Sequence, residues 1–287
     1  MTERTLLAVP NVSEGQDAEL IDALARAFDA RLLDVHADPD HHRSVYTLAG
    51  RPGELAPAIL EGAREAVRLL DITRHQGEHP RVGAIDVAPI VYLNERDRGA
   101  ACAEALVLGD MLGDQVGLPV FLYGELADGR TRAELRAGGP GALASRIEQG
   151  ELSPDFGPRR LHPTAGAVLV AARRPLVAFN VELAPPATLK DAKAIAAAIR
   201  EGGSGGLPSV RAIGAWLARR GRAQVSTNVE DHRATPLRAV VDAVAGRAKV
   251  EQAELVGLAP RAAFDGFPAA VPVRGRRTVE DALRGSD

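Results

Sequence analysis

Apolar residues lay out a succession of strands and helices along most of the chain. Leu6–Val9 is a short apolar run closed by Pro10-Asn11, the mark of a strand running into a turn. Beyond it Leu20, Leu24 and Phe28, flanked by Ile21 and Ala25, recur at helical spacing. Ser13, with Gln16 three residues on, has the spacing of a capping box and is expected to cap that helix. Leu32–Val35 and Ser44–Leu48 read as strands on either side of the polar segment His36–Arg43. Leu55, Ile59, Ala63 and Val67 set one apolar face on a helix over Glu54–Leu70. Thr73–Gly83 is a polar loop, Ile85–Leu93 a strand, Ala101–Val116 a helix and Pro119–Tyr123 a strand. Residues 124–165 are rich in turns, with short helices predicted at Thr131–Arg136 and Ala142–Glu148.

The second half repeats the order of elements. Ala167–Ala172 and Leu176–Leu183 read as strands and Leu189–Arg200 as a helix. The flexible loop Glu201–Pro208 leads to strands Val210–Ala218 and Gln224–Val229 around a turn at Arg219–Arg222. Pro236–Ala248 is a helix with Pro in its first turn, and Val250–Leu258 a strand. The tail from Val271 is rich in Arg, Pro and Gly and is expected to be poorly ordered. Residues 6–93 and 176–258 thus each give β-α-β-β-α-β, the split βαβ order. The fold class is α+β, with two ferredoxin-like subdomains. Each sheet has helices on one face only, so the two bare faces are expected to pack against each other. A groove between them is the natural ligand site.

Composition narrows the function. The chain has 287 residues, 46% hydrophobic and 25% charged, enough for a sizeable globular core. A net charge of −3 supplies no basic field for nucleic acid. Six Phe, three Tyr and one Trp are too few for a base-stacking platform. The single cysteine, Cys102, excludes an intrachain disulfide and a Cys-rich zinc site. No apolar run reaches the roughly 18–20 residues a membrane span needs, and Met1–Val9 lacks the features of a signal peptide. A soluble cytoplasmic protein with neither nucleic-acid nor membrane partner is expected. Only Lys190, Lys193 and Lys249 are lysines among 35 basic residues, so arginine is the default cation and one Arg is weak evidence for an anion site.

The densest polar segment is Arg74-His75-Gln76-Gly77-Glu78-His79-Pro80-Arg81. It matches H-x-x-E-H, a zinc-protease signature that works only on a helix. Gly77 inside it and Pro80 directly after it argue against a helix. The alternative is a shaped catalytic loop, in which a histidine moves a proton near neutral pH, Glu78 orients it and Arg81 pins a substrate carboxylate. A merely solvated loop is the remaining reading. His36, His41 and His42 form a second cluster that a polar turn explains as well as metal binding does. Ser153–Pro158 and Pro163–Ala167 fix an irregular path that can lay backbone groups along a flat ligand. Asn11-Val12-Ser13 is a glycosylation sequon by letter and reads as a helix cap. No phosphate-binding glycine loop lies at a strand–helix junction.

Together these segments resemble a known family. V-P-N-V-S-E-G (Val9–Gly15), L-L-D-V (Leu32–Val35), R-S-V-Y-T (Arg43–Thr47), H-Q-G-E-H-P-R-V-G (His75–Gly83), P-V-F-L-Y-G (Pro119–Gly124), P-D-F-G-P (Pro154–Pro158) and A-F-N-V-E-L (Ala178–Leu183) occur in its order. V-R-A-I-G, Q-V-S-T-N and E-L-V-G-L continue the match, which spans about residues 6–262. The sequence resembles the glutamate formiminotransferases, including the formiminotransferase half of vertebrate formiminotransferase-cyclodeaminases. The resemblance implies two subdomains, residues 1–172 with the catalytic loop and 173–287, with sheets face to face around a folate channel, and a homodimer. It implies transfer of a formimino group from N-formimino-L-glutamate to N5 of tetrahydrofolate, a co-substrate, in histidine degradation and without a metal. It assigns the catalytic acid/base to His79. The folate loop falls on Gly157, Pro158, Arg159, Arg160, Leu161, His162, Pro163, Thr164, Ala165 and Gly166. Arg43, Glu78 and Arg81 are the candidate substrate-binding residues. The chain departs from the family pattern at His36, where relatives can carry Asp, at His42, where they usually carry Asn, and at Ala165 and Val168, where vertebrate relatives carry Trp and Thr. Formyl transfer between 5-formyltetrahydrofolate and glutamate, and folate binding without turnover, are the alternative readings.

Overall fold

The structure, a computed structural model, describes residues 4–75 and 80–285. The chain divides into two compact units, Met1–Arg173 and Arg174–Asp287, each of helices packed on a sheet, so the fold is α+β.

The first unit runs β1 (Leu6–Ala8), β2 (Asn11–Val12), α1 (Ala18–Ala27), β3 (Arg31–Asp38), β4 (Arg43–Gly50), α2 (Leu55–Leu69), β5 (Ile85–Tyr92), α3 (Arg98–Met111), β6 (Val120–Leu122), α4 (Arg132–Arg136), α5 (Gly139–Glu148) and β7 (Val168–Arg173). β1 and β2 are two pieces of one lane, interrupted at Val9-Pro10, and both lie between β4 and β5. β3 flanks β4 antiparallel on one side. On the other, β7 is parallel to β5, and β6 is parallel to β7, its only strand partner among the described residues. Residue alternation sorts the two faces. Val168, Val170 and Ala172 join Leu24 of α1, Ile59 of α2 and Leu108 of α3 in the larger core, whereas Leu169 and Ala171 join Leu135 of α4 and Leu143 of α5 in a smaller one.

The second unit runs β8 (Val177–Leu183), α6 (Leu189–Ile199), β9 (Val210–Leu217), β10 (Arg222–Val229), α7 (Leu237–Ala245), β11 (Val250–Val256), β12 (Val273–Arg274) and α8 (Val279–Arg284). The strand order is β12-β11-β8-β10-β9, antiparallel except for β12 on β11. Val177, Phe179, Val181 and Leu183 alternate onto the helix-covered face. The segment beyond Val271 is ordered where disorder was expected: β12 extends the sheet, and Val279 and Ala282 of α8 are buried. Its apolar residues are few but sit at helical spacing behind a Thr278 cap.

Helix ends follow local chemistry. Asp17, not Ser13, caps α1, accepting from the Glu19 and Leu20 N–H groups; Ser13 is drawn into a longer-range contact described below. α2 has no cap from its own neighbourhood. Glu104 of α3, almost fully buried, accepts from Gly53 N–H and, at 2.7 Å, from Ala56 N–H. A carboxylate at a helix N-terminus satisfies two otherwise orphaned donors and meets the positive end of the dipole. Glu104→Gln is expected to lower stability by about 1–3 kcal/mol, read as a lower urea midpoint at unchanged slope. No helix among the described residues is long and apolar enough to cross a membrane.

Candidate active site

Segments distant in sequence converge within the first unit. Beyond β2 the Ser13 N–H donates to Ala84 O and its hydroxyl to Gly83 O, both at 2.8 Å. Gly83 forms an antiparallel bridge with Gly166. Ala84 N–H donates to Ala165 O at 2.8 Å and Ala167 N–H to Val82 O at 2.9 Å. This clasp needs both glycines: a Cβ on Gly83 would overlap Ala167 O, and Gly166 has φ +71° and lies against Val82 O. The turn Ile72–Arg74 joins it through Ile72 N–H and Thr164 O at 2.8 Å. The polar loop preceding β5 and the loop at 157–166 are therefore held side by side.

The candidate folate loop is closed on itself. His162 and Gly166 exchange backbone hydrogen bonds at 2.9 and 3.0 Å, and His162 Nδ1 accepts from Ala165 N–H at 3.0 Å. Burial holds the His162 imidazole below its ordinary pKa. Gly157, with φ +81°, packs against Leu118 O. Arg159, Arg160 and Pro163 are exposed, Pro158, Leu161 and Thr164 half-buried, and Ala165 lies in the larger core.

Two histidines stack beside this clasp. The rings of His42 and His75 are 4.1 Å apart between centroids, tilted by 33°. His42 Nδ1 accepts from Gly15 N–H at 3.1 Å and lies 3.5 Å from Glu14 Oε1. His42 has φ +49°, a left-handed conformation that costs a bulky residue strain and that Asn adopts more readily. His75 Nε2 lies 3.0 Å from the His42 carbonyl, to which it donates. Burial, then Arg81 and His42, pull the His75 imidazole down to about 4, against the His42 carbonyl and Glu14. His75 is thus neutral at pH 7. The folded state keeps it unprotonated down to about pH 4, whereas an unfolded chain protonates it near 6.5. Between these values the unfolded state binds the extra proton, so the contribution of His75 to stability is present above about 6.5 and is lost as pH falls. The slope of stability against pH over this window is expected to flatten in His75→Gln, as followed by denaturant unfolding at several pH values.

Arg43 and Arg81 both lie in the field of Asp86. This aspartate, buried in the otherwise apolar β5, accepts from Val82 N–H at 2.7 Å and pairs with Arg136. Burial brings the Arg43 guanidinium down to about 10, with Arg136 lowering it further and Asp86 and Asp38 opposing. Arg81 is also lowered by burial and supported by Asp86. Both remain charged at neutral pH. The turn before Arg43 is closed by Asp38 Oδ1, which accepts from Asp40 and His41 N–H groups at 2.9 and 3.0 Å. Glu78 and His79 lie outside the described residues, as do Gln76 and Gly77 of the H-x-x-E-H pattern. Sequence reasoning missed Glu14, Asp86 and Arg136. Asp86 had a signal, one carboxylate inside an apolar strand. Arg136 had none against the arginine background.

Comparison with known proteins identifies the family. Residues 5–173 match the family model described as formiminotransferase domain, N-terminal subdomain, and residues 178–266 the model described as formiminotransferase domain. The chain is 41% identical over 271 residues to the formimidoyltransferase-cyclodeaminase of Sus scrofa, covering 88% of this chain and 49% of that protein. It spans about half the length of the animal relatives of that name. It is 35% identical over 268 residues to the glutamate formimidoyltransferase of Streptococcus pyogenes serotype M1, covering 89% of each. With the enzyme of the same name from Thermoplasma acidophilum it shares 35% over 270 residues, 89% of this chain and 88% of that one. With both family models matched in order and relatives matched along nearly their whole length, the chain belongs to the formiminotransferase family.

Proposed function

We propose that this protein is a cytoplasmic, folate-dependent transferase that moves the formimino group of N-formimino-L-glutamate to N5 of tetrahydrofolate, with His79 as general acid/base. The observation that carries this reading is the Gly83–Gly166 clasp, which joins the loop leading into β5 to the loop of residues 157–166. In the same reading residues 157–166 bind folate. Gly157 and Gly166, both in left-handed backbone, give that loop a path no side-chain-bearing residue follows without strain. Arg43 and Arg81 hold donor carboxylates and Glu78 supports the donor. The proton removed from the attacking N5 returns to the departing glutamate nitrogen through one imidazole, which suits a group titrating near neutrality. No metal is required, since a protonated formimino carbon is already electrophilic. Both units are ferredoxin-like in this reading, from the strand orders β3-β4-β1/β2-β5 and β9-β10-β8-β11, and the protein acts as a homodimer in histidine degradation.

The test is product formation from tetrahydrofolate and formiminoglutamate, followed spectrophotometrically, beside a parallel assay with 5-formyltetrahydrofolate and glutamate. Transfer in the first assay at a rate well above the second supports the reading. Transfer in neither overturns it.

A further inference from the structure

We propose that Arg132 and Tyr123, backed by the Arg136–Asp86 pair, form a carboxylate-binding site in the first unit that takes the glutamate end of a substrate. The proposal rests on the formimino-transfer reading only for the identity of that substrate; the site itself stands on the following geometry.

Both oxygens of Asp86 are occupied, one by Val82 N–H and the other by Arg136. Neither oxygen is left without a partner for Arg132 to pair with. Arg132 stands four residues before Arg136, on the same side of α4. Its guanidinium carbon is 5.6 Å from the Tyr123 ring centroid, and it forms no ion pair among the described residues. Tyr123 is 6% exposed and packs in one cluster with Val82 and Leu135. Its hydroxyl is buried with no hydrogen-bond partner among the described residues, and so is Nε of Arg136. The field at Arg43 includes Arg132 as well as Arg136, with Asp86 and Asp38 as the opposing charges.

A half-buried guanidinium with no ion pair, beside a buried hydroxyl with no partner among the described residues, calls for an anion that accepts several hydrogen bonds. A carboxylate does so in the plane that suits a guanidinium fork, and the substrates of the proposed reaction carry carboxylates and no phosphate. Two sources are available, the donor's glutamate and the glutamyl tail of folate.

Arg132→Gln and Tyr123→Phe test this without stranding Asp86, because neither residue holds an ion pair among the described residues. Arg132→Gln is expected to raise KM for one glutamate-bearing substrate about 10–100-fold, with kcat changed far less. Tyr123→Phe is expected to raise the same KM about 2–10-fold. A rise confined to formiminoglutamate assigns the site to the donor, and one confined to folate polyglutamate assigns it to the tail. Calorimetric titration of the folate-free protein with L-glutamate gives an independent readout, in which binding to the wild type is lost in Arg132→Gln. If the wild type transfers no formimino group yet shows that loss, the activity reading fails and the carboxylate site stands. Unchanged KM for both substrates in both variants, with L-glutamate bound as in the wild type, overturns the site.

Discussion

Replacing His79 by Ala is expected to lower kcat by about 10²–10⁴ while leaving KM for tetrahydrofolate near its wild-type value. The size follows from the proposed role, since the variant would lack the group that relays a proton between attacking and departing nitrogens. The histidines described in the first unit are not expected to substitute for it. His75 stays neutral down to about pH 4 and spends its Nε2 proton on the His42 carbonyl. His162 spends Nδ1 on Ala165 N–H, and His42 spends Nδ1 on Gly15 N–H. Steady-state kinetics check the point through the fall in kcat at unchanged KM for tetrahydrofolate. A variant with full turnover removes His79 from the reaction.

The largest effect on stability is expected from Gly83→Ala. Its Cβ would meet main-chain atoms of Ala165 and Ala167, which cannot swing away as a side chain could. Relief requires opening the clasp, at the loss of the Ala84–Ala165 and Ala167–Val82 hydrogen bonds and of the acceptor for Ser13. Overpacking ordinarily costs about 1–3 kcal/mol, and a backbone collision at a point fixed from both sides belongs at the top of that range or beyond. We expect a loss of about 3 kcal/mol or more, seen as a lower thermal midpoint, and weaker folate binding in whatever protein remains folded. An unchanged midpoint means the backbone at 83 is not held as described.

Much of the fold was legible in the sequence because it is written in local periodicity. The α2 face of Leu55, Ile59 and Ala63 is buried as its spacing predicts, and the strands around Ser44–Leu48 and Leu176–Leu183 lie where the apolar runs place them. Errors arose where a residue answers to a distant partner. Ser13 has the local form of a cap, but its hydroxyl reaches Gly83, seventy residues on. The N-terminus of α2 has no local cap because Glu104 supplies one from another helix. The tail reads as disordered by composition, yet a strand edge on β11 was open to receive it. The candidate site was legible through its motifs, which mark which loops matter but not how they meet. That Asp86 pairs with Arg136 depends on the pleat of β5 and on how α4 lies over the smaller core, neither of which any window of sequence contains.

The parallel edge β5-β7-β6 has a consequence for the order in which the protein is made. β6 leaves the ribosome well before β7, yet β7 is the strand that fills the place between it and β5. Until that late segment arrives β6 has no strand partner among the described residues, although the loop at 157–166 can already close on Ile72 and Ala84. Nascent chains stalled short of residue 168 therefore carry an unmatched apolar edge, and this is the stage at which a chaperone has most to protect.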